Sequence, residues 1–248
     1  MTYSIVARDP ESGQFGVAVQ TCWFSVGAIV PWAIAGVGAV ATQAMVELAY
    51  GPRCLDKLVT GADARRSLDA VRAGDEASGL RQVAVVDGGG GVSAFTGDLC
   101  IDFAGHQTGD GYSVQANMMA SADVWPAMAD AFETGKGPFP ERLLGVLRAG
   151  ERAGGDARGR MSAAILIVKA DRQDHPWEGR VVDIRVDHHD QPSTNSHAFS
   201  SWPMPSSGSS VARTLSSPAI PPVRCARWSP LSAVYPVTRT PASCGPGP

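Results

Sequence analysis

Residues 22–46 carry no charged side chain, and an uncharged stretch of that length leaves water, either for a bilayer or for a protein core. Its interior decides between the two. Pro31, Gly27, Gly36 and Gly38 break a helix, whereas Val26, Ile29, Val30, Ile34, Val37 and Val40 favour strands. Two buried strands joined near residues 33–36 therefore accommodate the run better than a membrane span, and no membrane partner is expected. Gly36-Val-Gly38 also lacks the third glycine and the strand-to-helix context of a dinucleotide-binding turn.

The rest of the chain alternates between the two periodicities. Residues 3–7 and 15–19 read as a strand, a turn and a second strand. Beyond Tyr50 the spacing becomes helical: Leu55, Leu58 and Val59 share a face, Gly61 interrupts, and Ala64, Leu68 and Val71 continue to Gly74. Residues 81–87 and 92–96 form a hairpin around the four glycines 88–91. That run lacks the Lys-Ser/Thr of a phosphate-binding loop and reads as a turn. Strands follow at 99–103 and 112–118. Asp123 with Pro126 starts a helix presenting Val124, Met128, Ala131 and Phe132, and Leu143, Leu144 and Leu147 mark the next, ended by Gly154-Gly155. Residues 162–168 and 181–186 supply two late strands. Strands first, then helices, strands, helices and closing strands suit sheets stacked between outer helices.

Composition narrows the functional classes. The formal net charge of −3 and the lack of a basic stripe with interleaved aromatics give no reason to expect nucleic acid. Cys22, Cys54, Cys100, Cys225 and Cys244 are odd in number and show neither close pairing nor metal-finger spacing, which fits a reducing cytoplasm. No basic region followed by an apolar core opens the chain, so no signal peptide is expected. Asp187-His188-His189-Asp190 has the residue types of a metal site, but neighbours on a strand point to opposite faces, and solvated strand-end charges are the preferred reading. Nothing in the residues sets the oligomeric state, and a homo-oligomer stays open.

Thr2 directly follows Met1 and heads the first strand. Once Met1 is removed, a hydroxyl and a free α-amine share one residue, and the amine is placed to take the proton the hydroxyl loses on attacking a carbonyl. An α-amine titrates at about 7.7–8.0, so much of this base is neutral near physiological pH. Thr is also a common second residue that merely permits Met removal.

The blocks Thr2-Tyr-Ser-Ile-Val-Ala-Arg-Asp9-Pro10-Glu-Ser-Gly13, Gly16-Val-Ala-Val19, Trp23-Phe-Ser-Val-Gly27, Val30-Pro-Trp32, Ala35-Gly-Val-Gly-Ala-Val-Ala-Thr-Gln43, Tyr50-Gly-Pro-Arg53, Gly105-His106, Gly111-Tyr-Ser-Val-Gln115 and Asn117-Met118 stand in order over residues 2–186. Together they resemble the DUF1028 family, which is placed by fold among the N-terminal-nucleophile (Ntn) hydrolases. The resemblance implies an α+β chain folded as a four-layer αββα sandwich of Ntn-hydrolase type over residues 1–190. It also implies a reaction type without a substrate: hydrolysis of a small amide or carbamoyl-type C–N bond through Thr2 and an acyl-enzyme ester. This mechanism requires no metal or organic cofactor, and its partner is a small-molecule substrate. Three positions depart from the family pattern: Cys22 stands where a polar residue, often His, is expected, and Cys54 and Ala116 stand where Gly is usual.

The remaining roles follow from residue type. Asn117, ending a strand, is the first candidate for a side-chain oxyanion donor, and Gln43 with Thr42 is a candidate to contact substrate or the terminal amine. Each equally suits the satisfaction of buried backbone groups. His106, flanked by Gly105 and Gln107-Thr-Gly109, suggests a loop near the cleft or a structural histidine. Asp9 and Arg53 suit a polar framework, a bound carboxylate or a turn. Cys22 reads as a cleft residue or an inert thiol. The rival from another class is a catalytically silent Ntn-fold protein that binds a metabolite or partner; a weaker one is a membrane-associated structural protein built on 22–46.

After Asp190 the chain has no Asp, Glu or Lys, and Pro, Ser and Arg dominate. Composition reads 191–248 as a disordered extension. Read one base out of register, residues 192–205 are compatible with the leucine-rich amphipathic helix that the resemblance leads one to expect, which motivates the hypothesis of a frameshift near Gln191. An unbroken in-frame tail in repeatedly sequenced coding DNA sinks its sequencing-error form.

Overall fold

Strand β1 (Thr2–Arg8) shows the alternation that organises the molecule. Tyr3, Ile5 and Ala7 enter a core shared with two helices, while Val6 enters a separate apolar layer on the other face. By the period of two, Thr2 and Ser4 share the face of Val6. The computed structural model describes residues 2–194, and all of them lie in one compact unit. They form a mixed α/β fold with two antiparallel sheets and, among the described residues, four α-helices.

The larger sheet surrounds β1. It is completed by β2 (Phe15–Thr21), β7 (Gly105–Gly109), β8 (Tyr112–Asn117), β9 (Ser162–Val168) and β10 (Arg180–Val186), in the order β10-β9-β2-β1-β8-β7. The smaller sheet is β3 (Pro31–Ile34), β4 (Gly38–Ala44), β5 (Arg81–Asp87) and β6 (Val92–Thr96), in sequence order. Helices α3 (Val124–Thr134) and α4 (Phe139–Arg152) cover the outer face of the larger sheet, where Met128, Leu143, Val146 and Leu147 are fully buried. Each such side chain contributes roughly 1.5–3 kcal/mol by leaving water. Gly16 on β2 admits α4 this closely, because a Cβ there would stand 2.7 Å from Leu143. Helices α1 (Tyr50–Val59) and α2 (Ala64–Arg72) cover the smaller sheet through Cys54, Leu55 and Leu68, and Asp63 caps α2 by accepting from the Arg66 N–H at 2.7 Å.

The inner faces of the two sheets meet, β1 against β4 and β5 and β8 against β5. One end of this interface is apolar, with Val6, Phe15, Val17, Ala39, Ala41, Ala84 and Val86 in contact. The other end is polar.

Several expectations need correction. Residues 99–103 form no strand; Leu99, Ile101 and Phe103 alternate as a strand would, but all three are exposed. The edge strand is β7, which places His106 on a strand and not in a loop. The apolar run 22–46 contains strands β3 and β4, but β3 is an edge strand with only partial burial, and Val26 and Val30 enter the core from a 3-10 turn (Val26–Ala28) and the residues after it. The glycines 88–91 do close the β5–β6 hairpin, held by Asp87 Oδ1 accepting from the Gly89 and Gly91 N–H groups. No helix among the described residues is long and apolar enough to cross a membrane. Pro192–Thr194 forms a further 3-10 turn against α4 and β9, so packing continues past residue 190. The remainder of the proposed tail and frameshifted helix lies outside the described residues.

Candidate active site

Thr2 stands opposite Asn117 in the β1–β8 register, and Gln43 stands opposite Gln82 in the β4–β5 register. All four side chains belong to the inner faces, and stacking the sheets brings the two pairs together. Gln43 Nε2 donates to the Thr2 carbonyl at 3.2 Å and to Gln82 Oε1 at 2.7 Å. Asn117 Nδ2 donates to the same two acceptors, at 3.3 and 2.9 Å. Gln82 in turn donates to Thr96 Oγ1 and to the Gly105 and Ala116 carbonyls. Ser4 Oγ donates to Gln43 Oε1 at 2.7 Å and accepts from Gln115 Nε2 at 2.6 Å, extending the network along β1. These groups are buried, and a satisfied buried network of this kind holds its members rigidly.

The Thr2 hydroxyl lies within 3.2 Å of Thr21 Oγ1 on β2. Thr2, Gln43 and Asn117 also line a cavity of about 370 Å³, otherwise walled mainly by apolar side chains that include Val26, Val30, Met45, Leu99 and Ile101. Ala44 and Met118, the residues immediately after Gln43 and Asn117, both line the cavity and both adopt positive φ, at 70° and 55°. Left-handed backbone at non-glycine residues is strained and gathers at functional sites.

One wall of the cavity has a cationic member. Arg158 lines it, and its Nε lies 3.6 Å from Asp156 Oδ1. Asp156, nearly inaccessible, accepts from the Cys22 N–H at 2.8 Å and the Arg158 N–H at 2.9 Å, so it ties the segment after β2 to the loop before β9. Beneath β1, Tyr3 donates to Glu151 Oε2 at 2.9 Å and Arg160 pairs with Glu151 Oε1 at 3.1 Å.

The sequence candidates separate accordingly. Thr2, Gln43 and Asn117 come together. Thr42 does not join them: it alternates with Gln43, shares the face of Val40 beneath α1, and donates to the Glu47 carbonyl. Asp9 lies beyond the far end of β1, roughly 20 Å away at strand rise, where it pairs with Arg142 at 3.0 Å and accepts from Ser12. Arg53 is exposed on α1 and does not line the cavity. His106 is exposed on β7, where its Nδ1 lies 2.8 Å from Thr96 Oγ1. Cys22 is half-buried beside Arg158, donating to its carbonyl at 3.4 Å; burial and then the Asp156 carboxylate raise its thiol, leaving it protonated at neutral pH. Ala116 fits the helix-facing core, and the positive φ falls at Met118 instead.

Gln82 and Arg158 were not expected. Gln82 alternates with Ala84 and Val86, and that alternation marks it as inward-facing; its pairing with Gln43 is long-range and has no local mark. Among the described residues no group of three His, Cys, Asp or Glu is placed to hold a metal ion.

Residues 2–195 match DUF1028, described as a family of unknown function. The fold is similar to the crystal structure of protein SPO2555 from Silicibacter pomeroyi, described as DUF1028, with a TM-score of 0.70 and 34% identity over 77% of this chain and 81% of that one. No curated protein matches. The chain belongs to the DUF1028 family.

Proposed function

We propose that the protein is an Ntn-type amidohydrolase cleaving a small amide or carbamoyl-type C–N bond with Thr2 as nucleophile. The observation that carries this is the position of Thr2: a rigid strand end, in a cavity, with its carbonyl gripped by two side-chain amides from different sheets. A pair of helices, two facing sheets and a second pair of helices is also the layering expected of that superfamily.

In the first step the Thr2 Oγ attacks the carbonyl carbon and the α-amine, exposed by removal of Met1, takes the hydroxyl proton. Asn117 donates to the developing oxyanion. Its 3.3 Å bond to the Thr2 carbonyl is the one exchanged, and that carbonyl keeps Gln43. The C–N bond breaks, the amine proton passes to the leaving nitrogen, and Thr2 carries the acyl group as an ester. Water then attacks the ester with the α-amine again as base, releasing a carboxylic acid and restoring the hydroxyl.

The test is intact mass followed by turnover. The active chain begins at Thr2, hydrolyses a member of a panel of small amides and carbamoyl compounds, and loses that activity in Thr2→Ala while Thr2→Ser retains part of it. A chain still beginning at Met1 contradicts the mechanism and favours a silent, metabolite-binding protein.

A further inference from the structure

The cavity over Thr2 is two-sided in character. The residues lining it are predominantly apolar, and Arg158 is the one charged residue among those described. Among the described residues its guanidinium is held by one long ion pair, to Asp156. Asp156 is already stabilised by the Cys22 and Arg158 backbone N–H groups and approaches Arg158 Nε at 3.6 Å; among the described residues the Arg158 side chain makes no hydrogen bond. Two parallel N–H donors beside an apolar chamber match a carboxylate in bidentate fashion.

We infer that the substrate is a carboxylated amide with an apolar group, of the N-acyl amino acid class, with its carboxylate on Arg158 and its apolar part in the chamber beside Thr2. The volume, about 370 Å³, sits at the small end of ligand pockets and accommodates a single acylated amino acid. The chemistry balances with water alone: the acyl group passes from nitrogen to Thr2 Oγ and then to water, releasing a carboxylic acid and a free amino acid. The inference rests on the assignment of the Thr2 cleft as the site, but its test does not depend on turnover.

Equilibrium binding to Thr2→Ala protein is measured calorimetrically with N-hexanoylglycine, its uncharged counterpart N-hexanoylglycinamide, and N-acetylglycine. The expected result is about ten-fold tighter binding of N-hexanoylglycine than of either other compound. Arg158→Gln erases the advantage over the glycinamide, and Arg158→Lys keeps part of it. Circular dichroism of both variants confirms the fold, which the backbone bonds to Asp156 do not require the Arg158 side chain to maintain. Equal affinities, a carboxylate preference that survives Arg158→Gln, or no saturable binding by about 10 mM overturns the inference. Failure of Thr2 as nucleophile registers separately, in the mass of the N-terminal peptide.

Discussion

Asn117 Nδ2 lies 3.3 Å from the carbonyl oxygen of Thr2, its register partner, while Gln82 Oε1 holds the same nitrogen from the opposite sheet at 2.9 Å. An oxyanion donor acts on charge that exists only in the transition state. Asn117→Ala is therefore expected to lower kcat by about 10²–10³, with KM nearly unchanged. Steady-state kinetics on the best amide substrate checks this; a loss confined to KM contradicts the assigned role.

Gln82 joins the sheets by accepting from Gln43 and Asn117 and donating to Thr96 and two backbone carbonyls. Gln82→Leu strands those buried groups and is expected to cost at least about 2 kcal/mol in urea unfolding. Gln82→Glu aims one carboxylate oxygen at acceptors, which favours the protonated acid and raises its folded pKa. Stability of that variant is then expected to be retained at low pH and to fall as pH rises above about 4.3, the unfolded value.

Three phenols are held neutral by the fold. Burial, reinforced by Glu151, Asp75 and Glu133, raises Tyr3, Tyr50 and Tyr112 above the ordinary tyrosine range. Because the folded values exceed the unfolded one, their contribution to stability is complete below about pH 10 and is lost as pH rises through the folded values. An ultraviolet titration should show these phenols ionising only together with unfolding. Normal, reversible ionisation near pH 10 of more than one of the chain's four tyrosines in the folded protein contradicts it.

The thiols are expected to be bystanders. Burial pushes Cys54 up to about 11 and raises Cys22 and Cys100 as well, and a protonated thiol is a poor nucleophile. Iodoacetamide at pH 7 followed by peptide mapping should leave Cys54 unlabelled until the chain unfolds, and Cys22→Ser should leave amide turnover unchanged. Abolished turnover in Cys22→Ser, with folding intact, contradicts this.

Local pattern carried much of the fold. Alternation located β1, β2, β5, β6 and β9, and helical spacing with Pro126 and Gly154 located α3 and α4. The errors came where pattern and packing part. Leu99, Ile101 and Phe103 alternate without a sheet to join, while the polar β7 joins one through backbone bonds that its side chains do not advertise. Within the site, Thr2, Gln43 and Asn117 were legible as strand-end polar residues. Thr42 stands apart from Gln43 on the helix-facing side of β4, a separation that alternation alone implies, since neighbours on a strand face opposite ways. Asp9 sits at the wrong end of β1, which is a matter of strand length. Gln82 and Arg158 depend on sheet stacking and on a loop reaching across from β9, and neither relationship leaves a mark in the neighbouring sequence.

The most direct measurement is the mass of the N-terminal tryptic peptide, Thr2–Arg8, after brief exposure of the purified protein to p-nitrophenyl hexanoate. The expected result is a peptide that begins at Thr2 and carries one hexanoyl group on that residue, with labelling abolished by prior denaturation. A peptide that retains Met1, or one that begins at Thr2 and stays unmodified in samples acid-quenched during the p-nitrophenol burst while other residues acylate, contradicts the account of Thr2 as the nucleophile.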